Sequence, residues 1–212
     1  MSIADHDELI AAVPRTLRMT EDEYDQWREE NLRGEWVDGE VELMSPASTV
    51  HVQLQVLLSN VLHSYCSEKR LGEILGPELA IRLARQRRRR TPDLLFVQTS
   101  RLNLIRPTYL DGPPDAVFEI VSPDSVRRDW RDKYLEYDAA GVGEYWIIDP
   151  LSEVVEAYGR TEGGPFAALA EQDGRIASQV IPGFYLKPEW LWQRPLPTPF
   201  ALLRELGILP AT

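Results

Sequence analysis

The run Ala116-Val117-Phe118-Glu119-Ile120-Val121 is apolar at every position but one, and this constrains the fold more than any other feature of the chain. A strand apolar almost throughout is one covered on both faces. Tyr145-Trp146-Ile147-Ile148-Asp149-Pro150 is a second buried strand by the same criterion, and Asp93-Leu94-Leu95-Phe96-Val97, started by Pro92, is a third. Between the first two, Asp124-Ser125 caps a predicted helix from about Val126 to Ala140 that stops at Gly141.

The remaining chain alternates between the same two kinds of signal. Thr20 and Glu23 form a capping box ahead of a first helix that ends near Leu32. From Glu35 to Met44, residues alternate around Asp38-Gly39, the strongest short hairpin signal. Apolar residues from about Thr49 to Cys66 recur at helical spacing, whereas Leu79 to Leu83 alternates as a strand. The stretch from Thr99 to Pro114 has turn residues and little periodicity. Val154 to Tyr158 pairs with the strand before it, Phe166 to Val180 supplies edge strands, and a proline-rich tail carries a short helix near Phe200 to Leu206. This divides the chain into an N-terminal extension (1–18), one domain (19–187) and a tail that packs on it (188–212). Cys66 is the single cysteine, so an intramolecular disulfide and a multi-cysteine zinc site are both excluded. No run is long enough to cross a bilayer and the N-terminus does not read as a secretory signal, so a soluble, cytoplasmic protein with no membrane partner is expected.

A net charge of −11 argues against a protein that holds nucleic acid over its whole surface, since phosphate binding draws on Lys and Arg. Local charge is different: Arg82, Arg85 and Arg87 to Arg90 lie just before Asp93. Such a run is either a solvated turn or a rim that attracts phosphate beside a site.

Two carboxylates stand where water is scarce, Asp93 at the start of one buried strand and Glu119 within another. A buried carboxylate protonates, pairs with a cation or binds a metal. Glu119 and Val121 share a face of their strand, so a lysine at 121 would lie beside the acid; valine is there instead. The following helix offers a substitute. Trp130, Lys133, Tyr134 and Tyr137 form one stripe, with Asp129 four residues before the lysine. Lys133 either reaches along the rings to Glu119 or flanks the core and pairs with Asp129 in solvent.

Gly34-Glu35-Trp36-Val37-Asp38-Gly39-Glu40-Val41, Met44-Ser45-Pro46 with His51, Thr91-Pro92-Asp93, Glu119-Ile120-Val121-Ser122-Pro123, and then Lys133-Tyr134, Tyr137, Gly141-Val142, Glu144-Tyr145-Trp146 and Asp149-Pro150 occur in one order. From Met19 to Tyr158 this series resembles the family described as Uma-type putative restriction endonucleases, of the PD-(D/E)XK nuclease superfamily. The resemblance implies an α/β, restriction-endonuclease-like fold, a mixed central β-sheet flanked by helices. It implies Asp93 and Glu119 as the acidic pair, Lys133 as the lysine moved from strand to helix, and Glu35 as a third acid that binds the metal through water or holds a second ion. His51 matches a family histidine that either contacts phosphate or acts as an acid. Val121 departs from the superfamily pattern and makes the reading depend on Lys133.

On these residues the expected function is a metal-dependent DNA endonuclease of restriction or mobile-element type. Asp93, Glu119 and the Ile120 backbone carbonyl would hold Mg2+ or Mn2+, since hard oxygen donors suit those ions. DNA is the expected partner and a homodimer the expected assembly. The alternative is a nuclease-fold module that binds nucleic acid or protein without turnover, which the acidic balance favours.

Overall fold

Three apolar runs and one hairpin organise the protein, whose computed structural model describes residues 16–30, 34–161 and 164–210. β1 (Thr16–Arg18) leads into α1 (Glu21–Glu30). Here Thr20 N–H donates to Glu23 Oε2 at 2.7 Å and Glu23 N–H donates to Thr20 Oγ1 at 3.3 Å, the expected capping box. β2 (Gly34–Val37) and β3 (Glu40–Leu43) then pair around Asp38 and Gly39, with φ of 51° and 95°. Both angles lie in the left-handed region that a two-residue hairpin turn requires and that Asp-Gly reaches at small steric cost. Residues 1–15 of the predicted extension, and Leu32 at the predicted end of the first helix, lie outside the described residues.

α2 (Thr49–Glu68) starts at Ser48, whose hydroxyl accepts from the His51 N–H. After it come β4 (Gly72–Leu75), β5 (Ala80–Leu83), β6 (Arg88–Arg90), β7 (Leu94–Gln98), β8 (Tyr109–Asp111) and β9 (Ala116–Ile120). One π-helical turn, Arg128–Asp132, opens α3 (Lys133–Ala140), and Gly141 ends it at φ 85°. β10 (Glu144–Asp149), β11 (Val154–Arg160), β12 (Phe166–Ala168), β13 (Glu171–Gln172), β14 (Arg175–Ala177), β15 (Tyr185–Leu186), α4 (Glu189–Trp192) and α5 (Pro199–Glu205) complete the chain.

The central sheet has the order β12-β11-β10-β9-β7-β4. Only β9 and β10 run parallel in it; the other pairs are antiparallel, so the sheet is mixed as expected. Parallel neighbours need a crossover, and α3 supplies it. Leu54, Leu58, Val61 and Leu62 of α2 pack with Phe96, Phe118 and Ile148 on one face. Each leucine removed from water there contributes about 1.5–3 kcal/mol. Leu202 and Leu203 of α5 join the same cluster. On the other face, Tyr137 and Val142 pack with Leu95, Val117, Val121 and Ile147, together with Ile81 and Leu83 of a second sheet ordered β1-β3-β2-β6-β5-β8.

The structure divides the arginine run: Arg85 and Arg87 are exposed around the turn Ala84–Gln86, as a solvated turn requires, and the others are drawn to acids of the chain. Arg88 to Arg90 form β6, a strand inside the second sheet, and their side chains alternate with the strand period. Arg88 and Arg90 turn to Glu136 of α3, Nε–O distances being 2.8 and 2.7 Å, while Arg89 turns the other way to Glu21 and Asp25. Arg82 joins Glu21 at 2.8 Å. These guanidiniums bind the chain's own acids and are neither a loose turn nor a free rim. The stretch from Thr99 to Pro114 likewise holds β8, too short to show a period.

Candidate active site

β7 and β9 pair with Leu94 opposite Phe118, and continuing that register sets Asp93 opposite Glu119. Asp93 stands at the sheet end, where each of its oxygens has a partner. Oδ1 lies 2.8 Å from His51 Nε2 and accepts from Gln55 Nε2 at 3.0 Å; Oδ2 accepts from the Ile120 N–H at 2.7 Å. His51 and Gln55 reach the acid together because a four-residue spacing puts them on one face of α2. Burial disfavours the charged His51 imidazole, but the bond and charge of Asp93 outweigh that and raise it above its ordinary value.

Glu119 is 3% exposed, and its cation comes from the helix. Lys133 Nζ is 2.8 Å from Glu119 Oε1, which also accepts from the Tyr137 hydroxyl at 3.0 Å. Lys133 is itself buried, so the alternative placement in solvent is excluded. Asp129 is at its side: Oδ1 lies 3.2 Å from Nζ, a charge contact outside hydrogen-bond geometry, and Oδ2 accepts from Ser125 Oγ. The buried face of this helix is therefore Asp129, Lys133 and Tyr137, at steps of four. Trp130 and Tyr134 flank it, Tyr134 packing edge-on to Tyr158. A π turn accompanies this arrangement, the Lys133 N–H donating to the Arg128 carbonyl five residues back.

Glu35 enters from β2 with no exposure. Its Oε1 accepts from the Thr91 N–H at 2.9 Å and lies 3.5 Å from Lys133 Nζ, and its Oε2 is 2.8 Å from an Arg90 terminal nitrogen. Burial alone would raise this carboxyl; Lys133, Arg90 and Arg128 outweigh it and hold it at about 2. Glu119 goes the other way. Burial lifts it well above the carboxylate range, Lys133 opposes the lift, and Asp129, Asp93 and Glu35 add to it. For Lys133, burial disfavours the charge but Asp129, Glu119 and Glu35 prevail, so the amine stays an ammonium.

A cavity of about 190 Å3 opens beside these groups, with His51, Gln55, Thr91, Asp93, Ser122 and Arg128 in its wall. Glu35, Glu119 and Lys133 do not line it. Arg128 is the one arginine or lysine in the cavity wall among the described residues, and its only ion pair among them is with Glu35, 3.9 Å from its Nε.

The donor set fits a small hard cation. Two carboxylates occupy facing strand positions, one on the cavity wall and the other with an oxygen, Oε2, that accepts no hydrogen bond among the described residues. Burial, with the neighbouring acids adding to it, pushes Glu119 toward its neutral form, and a divalent ion beside it would oppose that. No group of three or more His, Cys, Asp and Glu in metal-holding geometry exists among the described residues.

Comparison with known proteins places the chain in a family and matches its fold. The family described as Uma2, putative restriction endonuclease, matches residues 21–189, which spans all five residues discussed. The chain belongs to the Uma2 family. A solved structure, described as a putative nuclease belonging to DUF820 from Anabaena variabilis, superposes with a TM-score of 0.66 at 20% identity, over 81% of this chain and 96% of that one. The fold is thus of restriction-endonuclease type. No curated protein matches.

Within this Uma2 chain the structure brings together all five residues singled out from sequence, in two groups: Asp93 with His51, and Glu119 with Lys133 and Glu35. At Ile120 the backbone N–H, bonded to Asp93, is the group tied to the site. Sequence reasoning missed Gln55 and Arg128, and it named Tyr137 and Arg90 without giving either a place in the site. Gln55 and the place of Tyr137 were findable, each lying four residues beyond a singled-out residue on a helix. Nothing local separates Arg90 from its neighbours.

Proposed function

We propose that this chain is a metal-dependent DNA endonuclease that hydrolyses phosphodiester bonds. The observation that carries the reading is the pairing of Asp93 and Glu119 across adjacent strands, with the Lys133 ammonium seated on Glu119 at 2.8 Å. Asp93, Glu119 and the Ile120 carbonyl would hold Mg2+ or Mn2+, which when bound polarises a phosphate oxygen and makes bound water a better nucleophile. The chain's own residues set the stage for that chemistry. His51, Gln55 and the Ile120 N–H fix both oxygens of Asp93. Lys133, held as an ammonium among three acids, would orient water and offset negative charge that builds on the phosphoryl oxygens. Arg128, on the cavity wall, is placed to meet a phosphate. A homodimer would bring two such sites to the two strands of a duplex.

One observation favours a second reading, a nuclease-fold module that binds without turnover. The net charge is −11 and four of the arginines near the site are paired internally, which leaves little basic surface for DNA. Incubating the pure protein with plasmid and Mg2+ or Mn2+, beside Asp93→Asn and Lys133→Ala, separates the two. The endonuclease reading expects nicking by the wild type alone; cleavage by all three, or by none, counts against it.

A further inference from the structure

Three buried acids, Glu35, Glu119 and Asp129, and the half-buried Asp93 meet at this end of the central sheet, and they divide by what they face. Asp93 is on the cavity wall, and Glu119 opposes it with Oε2 left over. Glu35 and Asp129 are buried, do not line the cavity and turn to the protein. Glu35 has both oxygens engaged, one by the Thr91 N–H and the Lys133 ammonium, the other by Arg90. Arg90 is in turn clamped by Glu136 of α3, so the second sheet and the helix are tied together behind Lys133.

We infer that Glu35 is a positioning residue that holds the Lys133 ammonium against Glu119 from the second sheet, and that it is not a ligand of the divalent ion. Asp93 also has both oxygens engaged, but it lies on the cavity wall; Glu35 lies off the wall, and moving it to an ion would strand the Thr91 N–H and the Arg90 guanidinium in the interior. As a clamp it needs no such change. Lys133 carries one positive charge among three acids, and Glu35 is the one contributed by a different sheet. Removing its charge therefore frees the ammonium on one side. What Lys133 then does to phosphate rests on the endonuclease reading.

The test is Glu35→Gln in the full chain, with three readouts. Amine acylation mapped by mass spectrometry is clean here because the lysines are only Lys69, Lys133 and Lys187. Lys133 should be protected in the wild type while exposed Lys69 reacts, and the variant should raise Lys133 labelling about tenfold as the clamp opens. Mn2+ affinity, read by electron paramagnetic resonance, should change less than about threefold, against a loss on the order of a hundredfold in Asp93→Asn. In plasmid cleavage, kcat should fall about tenfold with KM unchanged, and Glu35→Asp should restore part of it. Unchanged Lys133 labelling, or a Mn2+ loss equal to that of Asp93→Asn, overturns the inference. If the glutamine variant fails to fold, Glu35→Asp is read instead: its carboxylate stops one carbon short of the ammonium, so a smaller rise in Lys133 labelling at near wild-type Mn2+ affinity is expected, and no rise overturns the inference. Wild-type protein that neither binds Mn2+ nor cleaves sinks the endonuclease reading, and the labelling still decides the clamp.

Discussion

Lys133 meets Glu119 across the gap between a helix and a strand, Nζ to Oε1 at 2.8 Å, on the strand face where Val121 brings no charge. The cation has been relocated, and the whole ammonium is now inside the fold. Two further acids share it, so its loss strands more than one charge. Lys133→Met is expected to cost about 3–5 kcal/mol in urea unfolding at neutral pH, the range for breaking a buried ion pair. Adding Glu119→Gln to it should recover part of that loss. A single variant as stable as the wild type would mean that water already compensates these acids.

Acid should act on the fold through Glu35. Its folded value of about 2 lies below the ordinary 4.5, so the unfolded chain binds more protons between those two values. Its contribution is complete above pH 4.5 and disappears as pH falls through about 2. At about 1.4 kcal/mol per pH unit, the shift amounts to about 3 kcal/mol. Urea midpoints measured from about pH 6 to about pH 2.5 should fall for the wild type and fall less steeply for Glu35→Gln.

Arg90 should behave as a stability residue. It is 2% exposed and spans Glu35 and Glu136, so Arg90→Met leaves two interior carboxylates short of a partner and should cost about 3–5 kcal/mol. Arg85→Ala, on the exposed part of the same run, should stay within about 0.5 kcal/mol. Chemical denaturation of the two variants side by side checks the difference.

Arg128 is expected to show the opposite pattern. It lines the cavity with one long charge contact, so Arg128→Ala should lower DNA affinity about tenfold at low salt and reduce the salt slope by about one. Its stability should change by about 1 kcal/mol or less. Fluorescence anisotropy with a labelled duplex across a salt series gives both numbers; equal affinities would remove phosphate contact from the role of Arg128.

Much of the fold was legible before any coordinates. The Thr20–Glu23 capping box, the Asp38-Gly39 turn, the Gly141 stop and the β9, β10 and β11 strands all follow from signals within a few residues of where they act. β6 was not legible, because a run of arginines carries no apolar period and its strand form depends on acids brought from α1 and α3. The helix stripe was only partly right: a π turn and the buried Asp129 shifted the inner face from Trp130 and Tyr134 to Asp129, Lys133 and Tyr137.

What the chain determined by itself is the list of elements and the presence of acids inside them, since backbone propensity, capping and apolar period are properties of neighbours in sequence. Which cation answers which acid was decided only in three dimensions. Electrostatic pairing depends on separation in space and on exclusion of water, and β2, β6, β7, β9 and α3 come within a few ångströms only after two sheets have packed on one helix. That is why Glu35 reads in sequence as a third acid for a metal and stands in the fold between Arg90 and Lys133.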